Sequence, residues 1–594
     1  VLLPCSGSLL PIRVSPYKSL MVALRYPGAR LIETRWNAFS RVDVVASGFV
    51  RHAPGLSLRC NASIPEQLGV IVDGDDLSAI TRYDGDPSSL FFTEFLPSAL
   101  PYRLVVRPRV LVIGAGGGLS VLTALHYNSD RVVAVEVNPI VVELVQQEYR
   151  EFSGSVYNNE KVVVVVSDGR SFTQGSAETF DIIELPMAHG ASASSTGIYA
   201  LSEDYIYTVE SFRELIGHLS ENGFLTVSRW LLPPPREDVR IVSLAFEALE
   251  ELGIQNPSDH IAMIQSWGTI TLVVSRNSLS QNEIASIRGF CQDMCFDIVY
   301  VPGVDPSEVN IYNRFPEPIY YELVNGILNA EDREKFYNGY LYDIAPTTDE
   351  RPFFFHFFKW DRLKETYDSL SMKWQPLLEG GYLVPLALLQ ALGLSILLIL
   401  LPLRRLGGAE VGGRRAILAY FFCLGIGYMF IEIATMQRFI LLLSNPTYSI
   451  SAVIFSLLLA SGVGSYLSGW ISPVRKGHKL ILFTVGVLTI LYSLASPIFS
   501  FLLGLPLNTR LLATFVIIAP LGLLMGIPFP IGVRMLTDSK KAFIPWAWAV
   551  NGCASVLGSI LPTILALSFG FSTVLLIAGI VYLGGLLLVL RIPT

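Results

Sequence analysis

The chain has 594 residues, too many for one domain, with 51% hydrophobic and 16% charged. Most acids and bases lie before residue 380, the net charge of −7 offers no basic patch in that half, and nucleic acid is therefore excluded as a partner. The six cysteines form no C-x-x-C pair and no C-x-x-C-H haem site, so neither a metal centre nor a haem is expected.

Residues 1–16 read as an apolar lead-in. No signal peptide is visible, and a chain opening on Val1 is expected to be the later part of a longer product, or processed. Residues 17–45 mix short strands around a Pro27-Gly28 turn. Val70-Ile71-Val72 then leads into Asp73-Gly74-Asp75-Asp76, and Tyr83-Asp84-Gly85-Asp86-Pro87 follows. Two acid-rich turns so close together could hold a polyamine or a cation, although Asp-Gly is also an ordinary solvated turn. Asp73, Asp76 and Asp84 are the candidate substrate-binding residues there. Glu94 joins them on a helix predicted over 90–100.

The organising stretch is 109–139. Four consecutive apolar residues, Val110 to Ile113, predict a buried strand ending in Gly114-Ala115-Gly116-Gly117-Gly118. Without Cβ atoms, such a turn lets backbone N–H groups approach a ligand at the start of the helix predicted over 119–127. A second strand over 132–137 carries Glu136, placed to accept from the two hydroxyls of a ribose. Leu119 breaks the dinucleotide pattern G-x-G-x-x-G. G-x-G-x-G fits, a spacing typical of S-adenosylmethionine sites. A third strand over 161–167 ends in Asp168, which can accept from an adenine amino group. Gly114, Gly116, Gly118, Glu136 and Asp168 are thus the candidate nucleoside-binding residues.

A fourth strand, Phe180 to Leu185, ends beside the same site and makes Glu184 the candidate acid or base. A strand-end carboxylate in solvent is the competing reading. Residues 187–197 read as a mobile loop, with His189 a surface histidine. A helix over 205–219, a strand over 223–230, a helix over 240–252 and further strands to 301 complete an α/β sheet with crossovers. Cys291 and Cys295 lie four apart on a helix, as core or surface thiols.

These residues resemble a family. VLVIGAGGG, VVAVEVNP, SDGRSF, FDII and IYTVESFRELIGHLSENGFLTV are similar to the spermidine and spermine synthases, the polyamine aminopropyltransferases. SPYK, SRVDVV, APGLS, DGDD, DERPFFFHFFKW and IPWAWAVNG extend the resemblance to bacterial membrane-fused members of that superfamily. It implies a Rossmann-like sheet of the S-adenosylmethionine-methyltransferase type, with decarboxylated S-adenosylmethionine or S-adenosylmethionine as co-substrate. Soluble members carry an Asp where Gly117 stands. They also end the fourth strand in a catalytic Asp followed by Ser/Thr-Asp-Pro, against Glu184-Leu185-Pro186 here. Their gate-forming Gln-Thr pair gives way to Leu77-Ser78. Transfer activity therefore depends on whether Glu184 replaces the missing base.

Beyond residue 379 the chain turns apolar. Seven stretches are long enough to span hydrocarbon, at 381–403, 416–443, 450–471, 480–503, 511–531, 546–567 and 571–590. Phe353 to Phe358 with Trp360 would suit an interfacial belt. Small residues (Ser461, Ser465, Gly469; Ala554, Gly558) permit close helix contacts. Glu432 and Asn551 are intramembrane polar candidates. Arg404, Arg405, Arg414 and Arg415 follow the first stretch, and Arg475, Lys476 and Lys479 follow the third. Arg534, Lys540 and Lys541 follow the fifth, and Arg591 the seventh. These eleven oppose Arg510 alone, so the positive-inside rule puts the soluble half on the extracytoplasmic side of a bacterial inner membrane.

The expected organisation is a lead-in and small β-rich subdomain over 1–100 and a Rossmann-like aminopropyltransferase-like domain over 101–310. A linker with an interfacial aromatic segment follows over 311–380, then an all-α multi-pass transmembrane domain over 381–594. Three functions fit: a membrane-integrated aminopropyl transferase acting on an amine, a catalytically degenerate docking subunit of a membrane complex, or a polyamine transporter or sensor. The expected partners are lipid, a polyamine and further subunits.

Overall fold

The computed structural model describes residues 14–187, 198–362, 364–365, 368, 383–402, 413–471, 474–494, 496–536 and 543–591. The chain divides into an α/β unit holding most residues before 370 and a helical unit holding those after it. Segments Ala200–Tyr205 and Thr348–His356 belong to the helical unit.

In the α/β unit, β1 (Arg30–Trp36), β2 (Arg41–Ala46), β3 (Gln67–Val72) and β4 (Asp76–Thr81) form an antiparallel sheet in chain order. Alternation sorts its side chains between two cores. Val42, Val44, Leu68 and Val70 join the core of the large sheet, while Val45 and Ile71 pack on Leu20 and Ala23 of the helix Ser19–Leu24.

The large sheet has eight strands: β5 (Arg109–Ile113), β6 (Arg131–Glu136), β7 (Val162–Val166), β8 (Phe180–Leu185), β9 (Leu219–Trp230), β10 (Ile261–Gln265), β11 (Thr269–Ser275) and β12 (Asp297–Tyr300). Their order is β12-β10-β11-β9-β8-β5-β6-β7. β5 to β9 pair in parallel, and β11 runs antiparallel to both β9 and β10. This is the Rossmann-like, methyltransferase-type sheet. Val110, Leu111 and Val112 are fully buried, as an apolar run in a sheet covered on both faces must be. Chain order reverses direction between β5 and β8, and the crevice above such a point is where α/β sheets bind ligands.

Several elements differ from the sequence reading, among them the helix Ser19–Leu24 in a stretch read as short strands. Residues 90–100 are not one α-helix but the 3₁₀ turns Pro87–Phe95 and Pro97–Ala99 followed by the helix Leu100–Leu104, because Pro97 and Pro101 lack the N–H a continuous helix needs. The helix predicted from 205 begins at Val209, capped by the Thr208 side chain, which accepts from Ser211 N.

Among the described residues, six helices of the second unit are long and apolar enough to cross a membrane: Leu383–Leu400, Arg414–Leu443, Pro446–Trp470, Leu507–Leu536, Ile544–Phe569 and Phe571–Arg591. The fourth of the seven expected stretches is divided between the helices Val474–Ser493 and Ser496–Leu503. The first of these opens on Lys476, His478 and Lys479, and Pro497 suits the first turn of the second rather than the interior of one long helix. Phe353, Phe354, Phe355, Phe357 and Phe358 do not form an exposed belt. All five are buried, and only Trp360 stands half-exposed. Phe353 packs edge-on against Phe571 within the helical unit.

Candidate functional site

β5, β6 and β7 are adjacent and in register, with Ile113 opposite Val135 and Glu136 opposite Val166. Their ends therefore set the glycine loop, Glu136 and Asp168 side by side. Gly114, Gly116 and Gly118 have φ of +88°, +51° and +94°, the left-handed region that favours glycine, and Gly118 caps the helix Leu119–His126. Space is open where a Cβ on Gly114 would project. Gly117 is closed: a Cβ there would overlap the Ala79 carbonyl of β4, so the acid that soluble relatives carry at this position has no room.

Glu136 is buried, and its Oε2 and Oε1 accept from Gly116 N and Asn138 N, each at 2.9 Å. Burial raises its pKa, opposed by the backbone N–H groups of Asn138, Gly116 and Val137. Val137 beside it is 45% exposed, an apolar ledge on the rim. The Tyr157 hydroxyl donates to Gly116 O at 2.7 Å and pins the loop from below. Asp168 is partly exposed and caps the helix Gly169–Gly175, its Oδ1 accepting from Ser171 N at 3.1 Å.

Glu184 sits one strand away, level with Val112 of β5 and Thr226 of β9. It is a buried carboxylate rather than a solvent-facing one. Its Oε1 accepts from Ser120 Oγ at 2.8 Å and its Oε2 from Tyr102 Oη at 3.3 Å. Desolvation pushes its pKa up to about 7 against the pull of both hydroxyls. It lines a cavity of about 70 Å³ together with Gly114 to Gly117, Ser78, His52 and Ser228. Ser120, Tyr102, Tyr157 and Asn138 escaped the sequence reading. Only Asn138 had a local signal, since Asn-Pro opens helices, and its Oδ1 does accept from Ile140 N.

The remaining candidates do not converge, and none lines this cavity. Asp73 sits in the β3–β4 turn with φ +50°, its Oδ1 accepting from Arg41 N. Asp76 opens β4 opposite Val72. Asp84 accepts from Asp86 N within its own turn. Glu94 pairs with Arg103 at 3.1 Å and His126 at 2.9 Å. The acid-rich turns follow the ordinary-turn reading because turn backbones present N–H groups that short carboxylates cap. Among the described residues no group of three or more His, Cys, Asp or Glu could hold a metal. His189 lies outside the described residues. In the helical unit, Asn551 Nδ2 donates to Phe421 O at 3.0 Å, tying two helices together. Glu432 is partly buried in the helix Arg414–Leu443.

Residues 100–227, from before β5 into β9, match the family model described as Spermine/spermidine synthase domain. The polyamine aminopropyltransferase of Sulfolobus acidocaldarius is 23% identical over 222 residues, covering 36% of this chain and 68% of that protein. That of Saccharolobus solfataricus is 23% identical over 223 residues, covering 37% and 69%. Among solved structures, spermidine synthase from Thermotoga maritima aligns with 52% of this chain and 86% of its own, at 15% identity and a TM-score of 0.29. A probable spermidine synthase from Corynebacterium glutamicum aligns with 44% and 87%, at 16% identity and a TM-score of 0.30.

Proposed function

We propose that this chain, whose residues 100–227 form a spermine/spermidine synthase domain, transfers an aminopropyl group from a decarboxylated S-adenosylmethionine-type nucleoside to an amine. The nucleoside lies across the ends of β5, β6 and β7: the glycine loop under its ribose and sulfonium, Glu136 on the ribose hydroxyls, Val137 and Asp168 at the base. The observation that carries the reading is Glu184, a cavity-lining carboxylate with a pKa of about 7 beside the glycine loop. A general base works best with a pKa near the operating pH. The acceptor ammonium gives Glu184 a proton, and the freed lone pair attacks the propyl carbon bonded to sulfur. The C–S bond breaks, its electron pair stays on sulfur, and methylthioadenosine leaves.

A docking domain without turnover is the second reading, and it rests on volume. A cavity of about 70 Å³ is well below the ~300 Å³ at which ligand pockets begin, so the nucleoside needs the open crevice above it. Calorimetric titration of the full chain with decarboxylated S-adenosylmethionine, S-adenosylmethionine and methylthioadenosine separates the two. Micromolar binding lost in Glu136→Ala and kept in Glu184→Gln supports transfer, whereas no binding to any of the three leaves the docking reading. The charge bias assigns the α/β unit to the extracytoplasmic face when all seven apolar stretches cross. The donor then has to be supplied on that face.

A further inference from the structure

A second cavity bears on the identity of the acceptor. A groove of about 480 Å³ adjoins the Glu184 cavity and shares His52, Pro54 and Met187 with it. Its volume falls in the range of small-molecule sites. Tyr17, Phe49, Leu77, Trp230 and Trp267 form its walls. The Trp267 ring is 55% exposed yet fixed in place, because its Nε1 donates to Leu56 O at 2.9 Å.

The charges of this groove are the reverse of what a polycation needs. No carboxylate lines it among the described residues. Arg51 is its one charged wall residue, exposed and without an ion-pair partner among the described residues. Desolvation holds the pKa of His52 down at about 4, so its ring is neutral at physiological pH. The acid behind the wall, Asp75, is engaged by Ser19, which donates to its Oδ1 from Oγ at 2.9 Å and from N at 3.3 Å. A polyamine entering here would bring at least two ammonium groups. One could face Glu184, while the rest would lose water beside a guanidinium with no counter-charge. Aromatic walls, in contrast, favour a flat apolar body through offset and edge-on stacking.

We propose that the groove selects as acceptor a primary monoamine with an aromatic body, its ring among Phe49, Trp230 and Trp267 and its nitrogen at Glu184. This rests on the transfer reading, and the reaction balances as given above: the amine proton goes to Glu184 and methylthioadenosine leaves with the C–S electron pair.

The test is methylthioadenosine release by the full chain in detergent, with decarboxylated S-adenosylmethionine and either phenethylamine or putrescine. Phenethylamine is expected to show at least tenfold higher kcat/KM. Trp267→Ala should raise its KM about tenfold, the loss of one ring contact. Arg51→Glu, at an exposed position, should shift the preference toward putrescine. Faster turnover of putrescine by the wild-type chain overturns the inference and leaves transfer standing. If neither amine releases methylthioadenosine, transfer falls, and the groove is judged by tryptophan fluorescence alone. Saturable phenethylamine quenching that Trp267→Ala diminishes upholds the groove as an aromatic-amine site, and its absence up to millimolar concentration overturns it.

Discussion

Among the described residues Glu184 has two hydroxyl donors and no cation in contact, so burial decides its proton affinity. A base acts only when ionised, and its pKa of about 7 makes kcat/KM rise with pH through that value. Glu184→Gln should lower the rate by about 10²–10⁴-fold and remove that limb, measured as methylthioadenosine release between pH 5.5 and 9. Stability runs the opposite way. A carboxyl whose folded pKa is raised stabilises the fold below the ordinary carboxylate range and loses that contribution as pH rises through about 7. The wild-type melting temperature should therefore fall across this window, and more steeply than that of Glu184→Gln. At Gly117 the prediction is steric. Restoring the relatives' acid with Gly117→Asp drives a side chain into the Ala79 carbonyl and should lower Tm by about 3 °C or more. The sequence marked Glu184 as a strand-end acid, yet its burial was hidden. Tyr102 and Ser120, which hold it, come from elements 82 and 64 residues away.

Four strands of the parallel sheet, β5 to β8, were legible as elements, because each is a mostly apolar run with a glycine or an acid at or just beyond its end. Their order was not, since β8 joins β5 only through pairings remote in sequence. The five phenylalanines of 353–358 show the same limit from another side. Aromatic composition indicates affinity for an apolar setting without saying whether lipid or protein supplies it. Their segment instead brings Glu350 to the end of the helix Phe571–Arg591. Glu350 O accepts from Phe571 N, Oε2 from Ser572 N at 3.0 Å, and Oε1 from Arg438 at 2.9 Å. Arg438 is buried and also donates to Tyr492 O. Glu350→Ala removes a helix cap and a carboxylate that pairs with the buried Arg438, a loss of about 2–4 kcal/mol in thermal unfolding of the detergent-solubilised chain. Replacing both partners, Glu350→Gln with Arg438→Met, should recover most of it, because the buried charge goes with its partner.

At the scale of the whole chain, hydropathy and charge disagree over the stretch from Val474 to Leu503. Lys476 and Lys479 make it too polar to count with the six helices that, among the described residues, are long and apolar enough to cross. If it stays on one side, the basic residues flanking the helices divide eight against four, with Arg510 among the eight. If it crosses, the division is eleven against one, a far stronger bias. Two physical facts favour crossing. The 20-residue helix Val474–Ser493 is about 30 Å long, the thickness of the hydrocarbon layer. It also packs glycine on glycine along the helix Phe571–Arg591, since a Cβ on Gly579 would press on the Gly486 carbonyl. Labelling of single cysteines with an impermeant maleimide, in a background freed of native cysteines, decides the matter. With seven crossings Lys476→Cys and Arg591→Cys react from the same side, and Glu221→Cys of the α/β unit reacts from the other. Should Lys476→Cys and Arg591→Cys react from opposite sides, the stretch does not cross. Should Glu221→Cys react together with Lys476→Cys, the α/β unit faces the cytoplasm and the donor nucleoside needs no export.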